Sequence, residues 1–197
     1  MQRLLRRYNF STMSSPTDFS LSSTIKLNNG VLMPRIHLGT YMTSGRETST
    51  AVTHALSLGY LAIDSAEWYG NEKAVGSAIL KYIKSSEQQV KREDIWFTTK
   101  LQNNVGYEDT KRKIQESVKE SGLGYLDLYL LHSPYGGRGK RLECWRAVED
   151  AIDEGSVRAG GVSNYGVKHV CAFLSFFLSV FCLFSPLPAL FCLASRL

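Results

Sequence analysis

A chain of 197 residues, 44% of them hydrophobic and 21% charged, is long enough for one substantial core. Its net charge of +5 is dispersed, and no basic stripe with interleaved aromatics argues for a nucleic-acid partner. Neither the four cysteines nor the four histidines (His37, His54, His132, His169) show metal-ligand spacing, which speaks against a structural metal or a zinc hydrolase.

Residues 1–23 read as a leader outside the fold, disordered or presequence-like, with Arg3, Arg6 and Arg7 and no acid before Asp18. If Leu4, Leu5 and Tyr8 share a helical face, the leader is presequence-like and mitochondrial. A start at Met13 would instead leave a short tail on a cytoplasmic protein. Residues 24–27 and 33–37 flank Asn28-Asn29-Gly30, which predicts a hairpin. A first sheet strand follows over 36–40. Helices over 49–58, 71–84, 107–121 and 142–153 then alternate with strands over 61–63, 95–99, 127–131 and 157–162. Val75, Ala78, Ile79 and Ile83 recur at helical spacing and are assigned to the core, as is Trp145. Lys111, Arg112 and Lys113, beside Glu116, Lys119 and Glu120, read as a solvated helix face. Arg138, Lys140 and Arg141 read as a solvated loop and helix start.

Strand alternating with helix predicts an α/β fold with a parallel sheet, and closure into a (β/α)8 TIM barrel would open all strand C-termini onto one face. Because a complete barrel typically needs ~250 residues, the expectation is an incomplete one: a hairpin plus about five β/α units over 24–169.

Asp64, Tyr69, Lys100 and His132 sit just past the ends of successive strand-like runs. A tyrosine hydroxyl titrates near ~10 in water and is a poor proton donor or acceptor at neutral pH unless its surroundings lower that value. A nearby lysine ammonium favours the phenolate, and an aspartate holds the lysine. A histidine can hydrogen-bond and orient a carbonyl. Such a set suits carbonyl reduction, in which a proton must reach the developing alkoxide. Taken singly, each residue has a plainer reading. Asp64 could cap a helix, Tyr69 cover the barrel rim, Lys100 be a solvated charge and His132 a core histidine. Their joint placement at consecutive strand ends favours the functional reading.

DSAEWYGNE (64–72), FTTK (97–100), LLHSP (130–134) and GVSN (161–164) resemble the aldo-keto reductase family in order and spacing, and NNGVLMPRIHLGTY (28–41) looks like its N-terminal hairpin and first strand. The resemblance implies Tyr69 as proton donor, Asp64 and Lys100 as its tuning pair, and His132 as the group that orients the carbonyl. It implies a cofactor site including Gly39, Thr40, Asp64, Ser163 and Asn164, with NADPH, or less often NADH, as hydride source. It also implies a small-molecule carbonyl substrate. The oligomeric state is left open.

From Val170 the sequence reads VCAFLSFFLSVFCLFSPLPALFCLASRL, which matches nothing that follows GVSN in the family. A membrane anchor is disfavoured by Pro186 and Pro188. Ser195-Arg196-Leu197 resembles a peroxisomal address. Pyrimidine-rich noncoding sequence, translated, would give this Phe, Leu, Ser, Pro and Cys bias, and translated intron is the favoured reading. Without the later strands, the family's loop for the adenosine 2′-phosphate and its substrate-selecting loops have no counterpart. The expectation is therefore the ancestry of a reductase with doubtful turnover by this chain. The rival is a non-catalytic fragment or interaction protein of the same fold.

Overall fold

Two short strands, β1 (Thr24–Lys26) and β2 (Leu32–Pro34), pair antiparallel with Ile25 opposite Met33. The turn between them is closed by Leu27 N–H to Val31 O at 2.8 Å, with Gly30 at φ +86°. This computed structural model describes residues 20–27, 29–85 and 89–170, together with the backbone of 192–194. After the hairpin come β3 (Leu38–Gly39), β4 (Ala62–Asp64), β5 (Trp96–Leu101), β6 (Leu128–Leu131), β7 (Gly160–Ser163) and β8 (Cys192–Ala194). They pair in parallel in chain order, each beside its predecessor. Helices α1 (Gly45–Ser57), α2 (Glu72–Ser85), α3 (Tyr107–Ser121) and α4 (Gly137–Asp153) form the crossovers.

Side chains alternate between the two faces of the strands. Ile63, Phe97, Tyr129, Leu131 and Val162 pack outward with Val52, Leu56, Val75, Ile79, Ile114, Trp145 and Val148. Ala62, Trp96, Leu128, Leu130 and Ala159 pack inward, where Leu27, Val31 and Met33 of the hairpin region meet them. The hairpin thus closes the sheet at the end where the strands begin, and Asn29 Nδ2 donates to Arg158 O at 3.0 Å across that floor. The same two-residue period puts Asp64, Lys100 and His132 on the inward face at the opposite, C-terminal end.

Helices come close where glycine permits it. A Cβ on Gly76 of α2 would lie 1.8 Å from Ser121 O of α3, and one on Gly160 would lie 2.6 Å from Val148 Cγ1. Beneath the strands, the fully buried carboxylate of Asp127 accepts from Arg92 Nη2 at 2.8 Å, Phe97 N–H at 2.9 Å and Arg158 Nη1 at 2.6 Å. Arg92 also donates to Leu123 O, Ile95 O and Tyr125 O.

Several boundaries differ from the sequence-based expectation, among them the start of β7 at Gly160 rather than 157. Helix α1 starts at Gly45 rather than 49, behind Ser44 in extended conformation. Helix α4 starts at Gly137 rather than 142, because Gly136 and Gly137 (φ +95° and +85°) turn the chain and Arg141 Nη1 reaches back to Pro134 O at 2.7 Å. Its first turn is charged and carries no apolar period to read. The apolar segment, expected to supply no strand, contributes β8, with Val162 opposite Leu193. An edge strand presents a row of backbone donors and acceptors, and a short apolar run satisfies them by pairing. Most of the 1–23 leader, residues 171–191 and the Ser-Arg-Leu terminus lie outside the described residues, and so do the targeting, anchor and intron readings placed on them. Among the described residues no helix is long and apolar enough to cross a membrane, and no group of His, Cys, Asp and Glu could hold a metal ion.

Candidate active site

Asp64 ends β4, and Lys100 stands one strand over on β5, almost fully buried. Lys100 Nζ donates to Asp64 Oδ1 at 2.5 Å and to Ser65 O at 2.7 Å. The ammonium lies 5.0 Å from the centre of the Tyr69 ring. Tyr69 closes a 3₁₀ turn, Glu67–Tyr69, which Gly70 terminates in the left-handed region at φ +64°. The His132 ring meets Tyr69 edge-on, centres 5.9 Å apart, and Trp68 at 6.1 Å. All four expected residues therefore converge at the C-terminal ends of β4, β5 and β6.

Burial lowers the pKa of Lys100, and the Asp64 carboxylate opposes that shift. Burial also lowers the pKa of His132, assisted by the Lys100 charge, so its imidazole is neutral at pH 7. His37, which bonds Pro34 O through Nε2 at 2.8 Å, is lowered by burial too. A histidine whose folded pKa lies below its unfolded value near ~6.5 binds fewer protons when folded. Stability therefore rises with pH through that interval and levels off above it. Urea midpoints should accordingly fall as pH drops below ~6.5, and the slope should flatten in His37→Gln; an unaltered slope would assign the effect elsewhere.

Asn164 follows β7 at φ +61°, its amide Nδ2 donating to His132 O at 2.8 Å and to Ser163 Oγ at 3.1 Å. A cavity of about 750 Å³ opens here, lined among others by Trp68, Gln102, His132, Tyr135 and Asn164. Of the residues expected from sequence, His132 and Asn164 line it directly, while Asp64, Tyr69, Lys100 and Ser163 do not. Gly39, paired in register with Asp64, and Thr40 do not line it. The Thr40 hydroxyl is turned into the fold, donating to Asp64 O at 3.0 Å.

Sequence reasoning missed the hub that holds this end together. Asn71 is buried, takes the Ser65 hydroxyl on Oδ1 at 2.6 Å and donates from Nδ2 to Thr40 O at 2.8 Å and Thr43 O at 3.0 Å. It joins the loops after β3 and β4. Its place directly before α2 suggests only a helix cap. Glu72 was also missed: it is buried, accepts from Thr99 Oγ1 at 2.6 Å, and burial raises its pKa. Tyr41, packed 5.0 Å from the Tyr69 ring, and Trp68 complete an aromatic wall that no periodicity signals.

The parallel α/β sheet thus carries a Lys–Asp pair, a tyrosine and a histidine together at its C-terminal end, the arrangement that the sequence motifs lead one to expect. The profile of the Aldo/keto reductase family matches residues 35–180. The chain is 49% identical over 150 residues to an uncharacterised oxidoreductase of Schizosaccharomyces pombe, covering 76% of this chain and 53% of that protein. It is 41% identical over 153 residues to the glyoxal reductase of Bacillus subtilis, covering 77% and 52%. Among solved structures, an aldo/keto reductase from Brucella melitensis superimposes with a TM-score of 0.72 at 38% identity, covering 78% of this chain and 58% of that one. An aldo-keto reductase of Bombyx mori in complex with NADP gives 0.70 at 33% identity, covering 78% and 54%. The chain belongs to the aldo-keto reductase family. It spans about half the length of the curated relatives it matches.

Proposed function

We propose that this site reduces aldehydes or ketones to alcohols, with Tyr69 as the proton donor. The observation that carries the reading is the single ammonium of Lys100, held by Asp64 at 2.5 Å and placed 5.0 Å from the Tyr69 ring. Its charge stabilises the phenolate that remains once the proton has left. His132, neutral and edge-on to Tyr69, has a ring nitrogen to offer the carbonyl oxygen and orients it toward the phenol. Trp68 and Tyr135 provide apolar cavity wall beside it. NADPH, or NADH, supplies the hydride when bound. The Ser163 hydroxyl and the Asn164 amide offer both donors and acceptors at the end of β7, a donor set that suits the nicotinamide carboxamide.

Lys100→Met should raise the apparent pKa of the catalytic acid, since the phenolate loses its nearest cation. Asp64→Asn should act the same way but less, through a lysine held more loosely. The check is the pH–rate profile; if neither change moves it, the pair is structural.

A second reading, a non-catalytic fragment or interaction protein of the same fold, is favoured by one observation. The six strands run in open order from β3 to β8 with those two edges unpaired to each other, so the described residues do not close a barrel. The deciding experiment follows NADPH oxidation with small aldehydes and ketones in two proteins. One is the 197-residue chain; the other is a chimera joining residues 24–169 to the C-terminal half of the Bacillus subtilis glyoxal reductase. Tyr69-dependent turnover by the chain supports the enzyme. Turnover by the chimera alone assigns the chemistry to these residues and the non-catalytic role to the chain. No turnover by either overturns the proposal.

A further inference from the structure

The backbone hydrogen bonds of the Glu67–Tyr69 turn are local: Tyr69 N–H to Ala66 O at 2.9 Å and Gly70 N–H to Glu67 O at 3.1 Å. They fix the shape of the turn, while Ser65, just before it, is tied to β5 by Ser65 N–H to Thr98 O at 2.8 Å and by Lys100 Nζ to Ser65 O at 2.7 Å. Glu67 adds a tether from within the turn itself. Its Oε2 accepts from Gln102 N–H at 2.9 Å, two residues beyond Lys100 in the chain. Its Oε1 takes the Lys113 ammonium at 2.8 Å, reaching over from α3. Lys113 is braced in turn by Glu116 at 3.1 Å, which is paired with Arg112 at 2.7 Å. One carboxylate thus joins the turn that carries the phenol, the end of the strand that carries the ammonium, and a helix of the outer layer. The Glu67 and Lys113 side chains are 20% and 30% exposed, so the pair is partly shielded from solvent. Lys113 belongs to the basic run read from sequence as a solvated face; it stays partly exposed and is ion-paired as well.

The geometry points to Glu67 and Lys113 as positioning residues for Tyr69, holding the phenol beside Lys100 and edge-on to His132. An ion pair this near the surface contributes little to stability. Its effect is on alignment, where a displacement of about 1 Å can cost on the order of 10²-fold in rate. The inference rests on Tyr69 as the acid, and the test separates the two.

In the full 197-residue chain with labelled aromatic rings, NMR cross-peaks between the rings of Tyr69 and His132 report their closeness directly. Glu67→Gln keeps an oxygen for Gln102 N–H but loses the charge, whereas Glu67→Ala loses both. Lys113→Met removes only the cation. The expected result is weakened cross-peaks in Glu67→Gln and Lys113→Met and their loss in Glu67→Ala, with the Tyr69 phenol titrating higher in Glu67→Ala than in Glu67→Gln. Both Glu67 variants remove the same charge, so a difference between them is positional. Cross-peaks of parent intensity in all three variants would overturn the inference. If Glu67→Ala does not fold, Glu67→Gln and Lys113→Met decide it in the same way. Weakened cross-peaks together with full turnover by Tyr69→Phe would leave the strap standing and remove Tyr69 from the role of acid.

Discussion

Tyr69→Phe should lower carbonyl reduction by 10²–10⁴-fold, the usual contribution of a positioned acid or base, while leaving cofactor affinity near that of the parent. Phenylalanine keeps the ring that packs 5.0 Å from Tyr41 and 5.9 Å from His132 and removes only the hydroxyl. The loss should therefore appear in kcat rather than in KM or in the melting temperature. NADPH oxidation, followed in the chain or in the chimera described above, measures it. Turnover within twofold of the parent would remove Tyr69 from the mechanism and leave His132 as the group to examine for the proton.

The second large effect concerns stability and lies at the other end of the strands. Asp127→Ala removes the carboxylate that accepts from Phe97 N–H and the counter-charge of two arginines. Breaking a buried pair by deleting one partner costs about 3–5 kcal/mol. The lower figure applies here, because Arg158 is 39% exposed and can reach water while Arg92 keeps three backbone carbonyls. About 3 kcal/mol corresponds to a fall of roughly 6–12 °C in Tm for a chain of this size. Asp127→Asn retains an acceptor for Phe97 N–H and should lose less. Thermal melts of the two variants check both the size and the order. Equal stability of parent and Asp127→Ala would show that the cluster contributes no net free energy.

The legibility of these two ends differs for a physical reason. Asp64, Lys100 and His132 each follow a short β-rich run, and the two-residue period of a strand carries the interior face directly from Ala62 to Asp64 and from Trp96 to Lys100. Alternation of strand and helix likewise gave the parallel sheet and the packing roles of Val75, Ile79 and Trp145. Asn71, Glu67 and the Arg92–Asp127–Arg158 cluster make contacts between residues far apart in the chain, from Asn71 with Thr43 to Glu67 with Lys113. No local pattern encodes such a pairing, since a polar residue that will be buried looks in sequence like one that will be solvated. The apolar segment misled in the opposite sense: it has no period of its own, yet the bare edge of β7 imposes strand geometry on three of its residues.

The floor formed by the hairpin has a consequence for the order in which the molecule assembles. Every parallel pairing from β3 to β7 joins neighbours in the sequence, so each unit can dock as soon as it has been synthesised. The hairpin is the exception. It is the first described element to emerge from the ribosome, but its contacts include Ala159 and the Arg158 carbonyl, 129 residues further on. Closing so long a loop carries an entropic cost that only the completed interior repays. Until β7 has been made, Leu27, Val31 and Met33 have only part of their seat. The first stretch of the fold to be translated is thus among the last to be fully covered, and through that interval its apolar side chains are the nascent chain's point of vulnerability.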